Sequence, residues 1–305
     1  DRLPRVLTQE EIAMMVRTAH VTTETAGSLV KAIEETQNLL NVTANCTTGI
    51  RAHCAALVDF GDVVHVEAVG GSSAGVQFQL VSSKTNKTKV THKKEIACTS
   101  CCPNKLALTA EGMLDESKFC VVHLVEHLRG LVAKLLGMET DKLDVPLYST
   151  FRKVSDLHAG TTLVRAESES VADSAPALVC KVTFEEQAQG FLYNGEQPFV
   201  VNGVEYWPPV RGLWFEIAGT GYAVRVWANA SGETAHLQQQ LKRAGARAGA
   251  EVHDVHKLKS KSLRRTMATI LSANVSMAEV VAIGDWSSEA MARKYIATLN
   301  VLAKG

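Results

Sequence analysis

Apolar residues recur every three or four positions in several stretches of the chain and alternate with polar ones in others, which predicts a mixture of helices and short strands. The first helix signal is a capping box, Thr8-Gln9-Glu10-Glu11, followed by Ile12, Met14, Met15 and Ala19. A second helix is predicted over roughly residues 26–40. It runs into Asn45-Cys46-Thr47-Thr48-Gly49-Ile50-Arg51, where Gly49 is placed to end a helix before a new short one. Strand-like runs come next at 63–66 and 76–80, the second alternating apolar and polar residues. A turn-rich stretch, 82–89, then leads to another short strand, which together predict a small antiparallel sheet.

Helical spacing returns from about 119 to 136, and Pro146 breaks the pattern beyond it. The stretch from about 155 to 230 has a different character: it is Gly-rich, contains Trp and Tyr, and alternates as in Tyr222-Ala223-Val224-Arg225-Val226-Trp227. It reads as a β-rich insertion. Helices are predicted again at 234–247, ending near Gly249, and at 261–273. A second capping box, Ser276-Met277-Ala278-Glu279, opens a third, and a last one starts near Glu289. The expected fold class is α+β, mainly α.

With 305 residues the chain suits one large domain or two modest ones, and 46% apolar with 21% charged residues is globular composition. The start lacks the charged-then-apolar build of a signal segment, and no run of eighteen apolar residues occurs, so a soluble protein with no membrane partner is expected. Seven cysteines, an odd number, point to reduced thiols inside the cell. The expected place is the nucleus of a eukaryote or the cytoplasm of a prokaryote. Asn-x-Ser/Thr triplets such as Asn41-Val42-Thr43 are then chance matches.

The richest chemistry lies near the end, in Lys261-Ser262-Leu263-Arg264-Arg265 and Gly284-Asp285-Trp286 through Tyr295. On a helix, Lys261 and Arg264 share a face while Leu263, Met267, Ile270 and Leu271 pack on the other. Two fixed cations on one face can clamp a phosphate, or can simply be a solvated basic face. This segment resembles the C-terminal part of the tyrosine recombinase (phage integrase) family, and the gap from Trp286 to Tyr295 is similar to that of Cre-like members. Thr47-Thr48-Gly49-Ile50-Arg51, with Phe60-Gly61-Asp62-Val63 after it, resembles the family's first arginine motif. Ser83-Lys84-Thr85-Asn86-Lys87 resembles its β-hairpin lysine motif, and Leu3-Pro4-Arg5-Val6-Leu7-Thr8 its usual opening.

The resemblance implies the family's catalytic-domain fold over residues 1–305, interrupted by the insertion at about 155–230, with the N-terminal core-binding domain absent. It implies site-specific cutting and rejoining of double-stranded DNA through a 3′-phosphotyrosine intermediate. Tyr295 would be the nucleophile, with Arg51, Arg264, Lys261 and Trp286 on the scissile phosphate and Lys84 protonating the leaving oxygen. Arg suits phosphate because its planar fork stays charged and binds two oxygens. No cofactor is implied, and a homo-oligomer on DNA is expected. Lys87, Lys89, Lys242, Arg243 and Arg265 are the expected DNA-backbone contacts.

Two positions depart from the pattern: Lys261 stands where the family usually has His, as in type IB topoisomerases, and Cys54 where it usually has a carboxylate. Two further functions therefore stand beside recombination, a DNA-binding or assembly module of the same fold that has lost its chemistry, and type IB-like relaxation.

Metal chemistry has its own signals. Cys98-x-x-Cys101 with Cys120-x-x-His123 has the spacing of a structural zinc site, although Cys120 and His123 fall in an apolar helical run where a buried thiol is ordinary. His123-Leu124-Val125-Glu126-His127 also fits a metalloprotease pattern, with Glu185 or Glu186 as a further ligand. Finally, the formal charge of zero is an average: residues 82–105 hold six Lys against one acid, and 242–265 hold eight Lys or Arg against two. Overall neutrality does not exclude a nucleic-acid partner.

Overall fold

The computed structural model describes residues 4–55, 58–67, 74–80, 92–98, 120–143, 145, 147–157, 162–164, 199–201, 204–206, 213–217, 220–225, 230–249 and 254–296. These residues form a mainly helical structure with small sheets. Helix α1 (Gln9–Arg17) starts at the predicted capping box: Thr8 Oγ1 accepts from the Glu11 amide at 3.1 Å, and the Glu11 carboxylate accepts from the Thr8 amide at 3.0 Å. A single-turn helix, α2 (Thr23–Ala26), stops at Gly27 in the left-handed region, and Ser28 then caps α3 (Leu29–Thr48).

Helix α3 is the spine. The sequence predicts it over 26–40, but it starts later and runs eight residues further because its second half hides its polar groups. Thr43 and Thr48 donate to the carbonyls of Leu39 and Ala44 in the preceding turn, at 2.9 and 2.6 Å. Gln37 Nε2 donates to the carbonyls of Leu147 and Ser149, and Asn41 Nδ2 to that of Leu237. With those groups satisfied, α3 is buried on most sides and packs against α5 (Val121–Leu136), α6 (Ala230–Arg247) and α7 (Ser260–Ser272). Gly49, at φ 61°, ends it in the left-handed region and turns the chain into Ile50, Arg51 and the short helix α4 (Ala52–Ala55).

The expected small sheet is present as β1 (Val63–Val66), β2 (Gly75–Leu80) and β3 (His92–Ala97), antiparallel in that order. Val76, Phe78, Leu80 and Ile96 face the core shared with α3 and α5. After α5, β4 (Thr150–Lys153) enters a mixed sheet of order β4-β9-β8-β5, with β5 (Thr162–Val164), β8 (Leu213–Ile217) and β9 (Tyr222–Arg225). Within it β5 and β8 are parallel and the other pairs antiparallel, while β6 (Phe199–Val201) and β7 (Val204–Tyr206) pair separately.

The chain then returns to helices α6 and α7, followed by α8 (Met277–Gly284) and α9 (Glu289–Arg293). Ser276 and Glu279 form the second predicted capping box. Met267, Ala268, Val280, Trp286 and Ala292 make a separate small core where α7, α8 and α9 meet, with Tyr295 packed on its side. Among the described residues no helix is long and apolar enough to cross a membrane.

Candidate functional site

Side chains from segments far apart in the sequence meet at one cleft, lined by Ile50, Arg51, Cys54, Leu80, Lys94, Arg264 and Asp285. Arg51 is delivered by the turn after Gly49, Arg264 by α7, Lys94 by β3, and Asp285 by the left-handed end of α8, at φ 53°.

Arg264 is 6% exposed and its two amino groups donate to the carbonyls of Gly49 and Gly284. Both carbonyls lie at helix C-termini, where backbone acceptors lack an intrahelical partner and the helix dipole favours a cation. Its Nε has no hydrogen-bond acceptor among the described residues. Burial pulls its pKa down to about 10, and Arg51 pulls the same way, while Tyr295, Asp285 and Cys54 oppose. Lys94 Nζ donates to the Ile283 carbonyl at 2.7 Å, the same helix end. Burial lowers its pKa too, with Arg264 and Arg51 adding to the effect and Asp285 opposing. The cleft therefore collects three cations against one carboxylate.

Trp286 and Tyr295 stack beside Arg264. The guanidinium carbon is 4.6 Å from the Trp286 ring centre and 5.6 Å from that of Tyr295, and the two rings are 5.3 Å apart. Trp286 Nε1 is buried and has no acceptor among the described residues. Cys54, where a carboxylate was expected by resemblance, is buried in the cleft wall; burial pushes its thiol up to about 11, so it is neutral at pH 7.

Of the residues singled out by sequence, Arg51, Arg264, Trp286 and Tyr295 come together here. Lys261, one turn before Arg264, is exposed and does not line the cleft. Lys84, Lys87, Lys89 and Cys101 lie outside the described residues, as do Glu185 and Glu186. On α6, Lys242 is half-buried and Arg243 exposed. Arg265 donates to the carbonyls of Tyr295, at 3.2 Å, and Pro4, at 2.7 Å, so it ties the start of the chain to the tyrosine segment.

Sequence reasoning missed Lys94 and Asp285. Lys94 had a signal: it is two residues before the apolar Ile96 and pairs with buried Phe78 across the sheet, so strand alternation puts it on the inner face. Asp285 had none beyond its place beside Trp286.

The metalloprotease pattern separates in space. His127 donates from Nε2 to the Val21 carbonyl at 2.7 Å, and Glu126 pairs with His65 at 2.7 Å, so neither joins His123 in a ligand set. His123 instead lies with Cys98 and Cys120.

No known family model matches this chain, and no curated protein matches it.

Proposed function

We propose that the chain cuts and rejoins double-stranded DNA by the chemistry of a tyrosine recombinase, with Tyr295 as nucleophile. The observation that carries this reading is the gathering of Arg51, Lys94 and Arg264 around one cleft, with Tyr295 stacked on Arg264. Burial, with the charge of Arg51 added, depresses the pKa of Arg264, and burial with both arginines depresses that of Lys94, so a cleft with an excess of two positive charges over its one carboxylate is relieved by an anion. A phosphodiester carries one negative charge, and attack by a phenolate raises that to two. The excess thus matches the transition state better than the ground state, which is the condition for catalysis.

In the proposed reaction the Tyr295 phenol loses its proton to solvent water and its oxygen bonds to phosphorus as the bond to the 5′ oxygen breaks. A neighbouring cation returns a proton to that oxygen. Arg51 and Arg264 hold the non-bridging oxygens, the unpartnered Trp286 indole N–H offers another donor, and the 3′-phosphotyrosine bond retains the energy for rejoining.

The test uses a library of DNA duplexes nicked near randomised sequence, so that a cleaved strand is lost and the adduct is trapped. We expect a denaturant-resistant protein–DNA adduct mapping to the Tyr295 peptide, absent in Tyr295→Phe although that variant still binds DNA. DNA binding by the wild-type chain with no adduct anywhere in the library overturns the reading. That outcome leaves the assembly module, which the exposure of Lys261 and the neutral thiol of Cys54 favour. Relaxation of supercoiled plasmid without sequence preference marks the type IB-like variant.

A further inference from the structure

We propose that Cys98, Cys120 and His123 bind a zinc ion that fastens the end of β3 to the start of α5. Cys98 is the first residue after β3 (His92–Ala97), Cys120 is the N-cap of α5 (Val121–Leu136), and His123 lies in its first turn. Cys98 Sγ is 3.5 Å from Cys120 Sγ and 4.0 Å from His123 Nδ1, and all three donor atoms lie within 4.8 Å of one another. Zinc binds thiolate sulfur at about 2.3 Å and imidazole nitrogen at about 2.0 Å, so the edges of its tetrahedron are about 3.8 Å between sulfurs and about 3.5 Å from sulfur to nitrogen. The two separations from Cys98 lie within about 0.5 Å of those edges.

Chemistry narrows the ligand further. Two sulfurs and an imidazole suit a soft or borderline cation and reject magnesium or calcium, which require oxygen. The three residues are 8%, 1% and 4% exposed, a setting hostile to an isolated thiolate. A divalent ion with two thiolates is neutral, which removes that penalty; binding releases the two thiol protons to solvent. Cys120 makes no side-chain cap to its helix, yet its thiolate would sit at the positive end of the helix dipole. The fourth corner of the tetrahedron belongs to a donor outside these three. Because β3 also carries Lys94, the ion would hold the strand that supplies one of the cleft cations.

The site is read from metal content and spectra, so its success or failure is separate from that of the DNA chemistry. The full chain is purified in reducing buffer without chelator, supplied with zinc, desalted and analysed for metal. Stoichiometric zinc is expected in the wild type and in Cys46→Ser, a thiol packed in a different core cluster, and its loss in Cys120→Ser and His123→Ala. Should those variants fail to fold, cobalt loaded into the wild type decides. Thiolate-to-cobalt charge-transfer absorption together with tetrahedral ligand-field bands supports the site. Wild-type protein that retains no zinc and gives no such bands overturns it, as does a Cys98–Cys120 disulfide found by peptide mapping in place of the metal. Full zinc retention by a folded Cys120→Ser overturns it equally.

Discussion

Lys94 is the residue whose role changes most between sequence and structure. In the sequence Lys84 resembles a motif, whereas Lys94 looks like one more charge in His92-Lys93-Lys94-Glu95 until the pairing with Phe78 turns it inward. Its amine is partly desolvated and shares the cleft with Arg51 and Arg264, which lowers its pKa and makes it a readier proton donor than a surface lysine. A sulfur leaving group needs no proton, so replacing the bridging 5′ oxygen by sulfur separates proton donation from phosphate binding. In such a substrate we expect Lys94→Ala to recover cleavage that it loses on ordinary DNA, by about a hundredfold or more. Recovery in Lys84→Ala alone would return the role to Lys84. Arg51, Arg264, Trp286 and Tyr295 were legible because each sits in a spaced motif. Asp285 was not, since a carboxylate at a helix end is commonplace and only the assembled cleft gives it three cationic neighbours.

Among the elements, the C-terminus of α8 does the most for the site, because its last two carbonyls receive Lys94 and Arg264 and its next residues are Asp285 and Trp286. The close turn depends on Gly284: a methyl group there would lie 1.8 Å from Trp286 Cζ3, inside a rigid ring that cannot swing aside. Overpacking of this kind costs about 1–3 kcal/mol, and we expect Gly284→Ala to fall at the upper end by urea denaturation. Gly27→Ala, at a left-handed position with open space around it, should cost only about 1 kcal/mol. The reverse ranking would show that the Trp286 contact is not tight. Element starts were well marked in the sequence, since Thr8 and Ser276 cap as their motifs say. The extent of α3 was not, because periodicity counts Thr43, Asn41 and Thr48 as polar, whereas in the fold each spends its hydrogen bonds inside the core and behaves as a buried residue.

For the molecule as a whole, stability should depend on pH through His236 on α6. Burial, with Arg243 and Arg225 nearby, holds its pKa down at about 4, against 6.5 for an unperturbed histidine. The unfolded chain therefore binds a proton between pH 6.5 and 4 that the folded chain refuses, so stability falls as pH drops through that window. The full difference is about 3 kcal/mol, and burial lowers the pKa of His127 in the same sense. Urea midpoints of the wild type should fall more steeply from pH 6.5 to 4 than those of His236→Gln, and parallel profiles would remove the assignment. Composition spoke only to a globular chain at this scale, while how the helical halves meet depended on long-range contacts that no local pattern carries. One such contact is the pairing of β4 with β9. Lys153 faces Tyr222 across it, and the Val154 amide donates to the Gly221 carbonyl at 3.0 Å. The chain thus departs from the helical core and rejoins it at the same hydrogen-bonded gate. Together with the packing of α3 on α6 and α7, that pairing fixes where the returning chain meets the helical core, so the length of chain between β4 and β9 does not by itself set the position of the cleft.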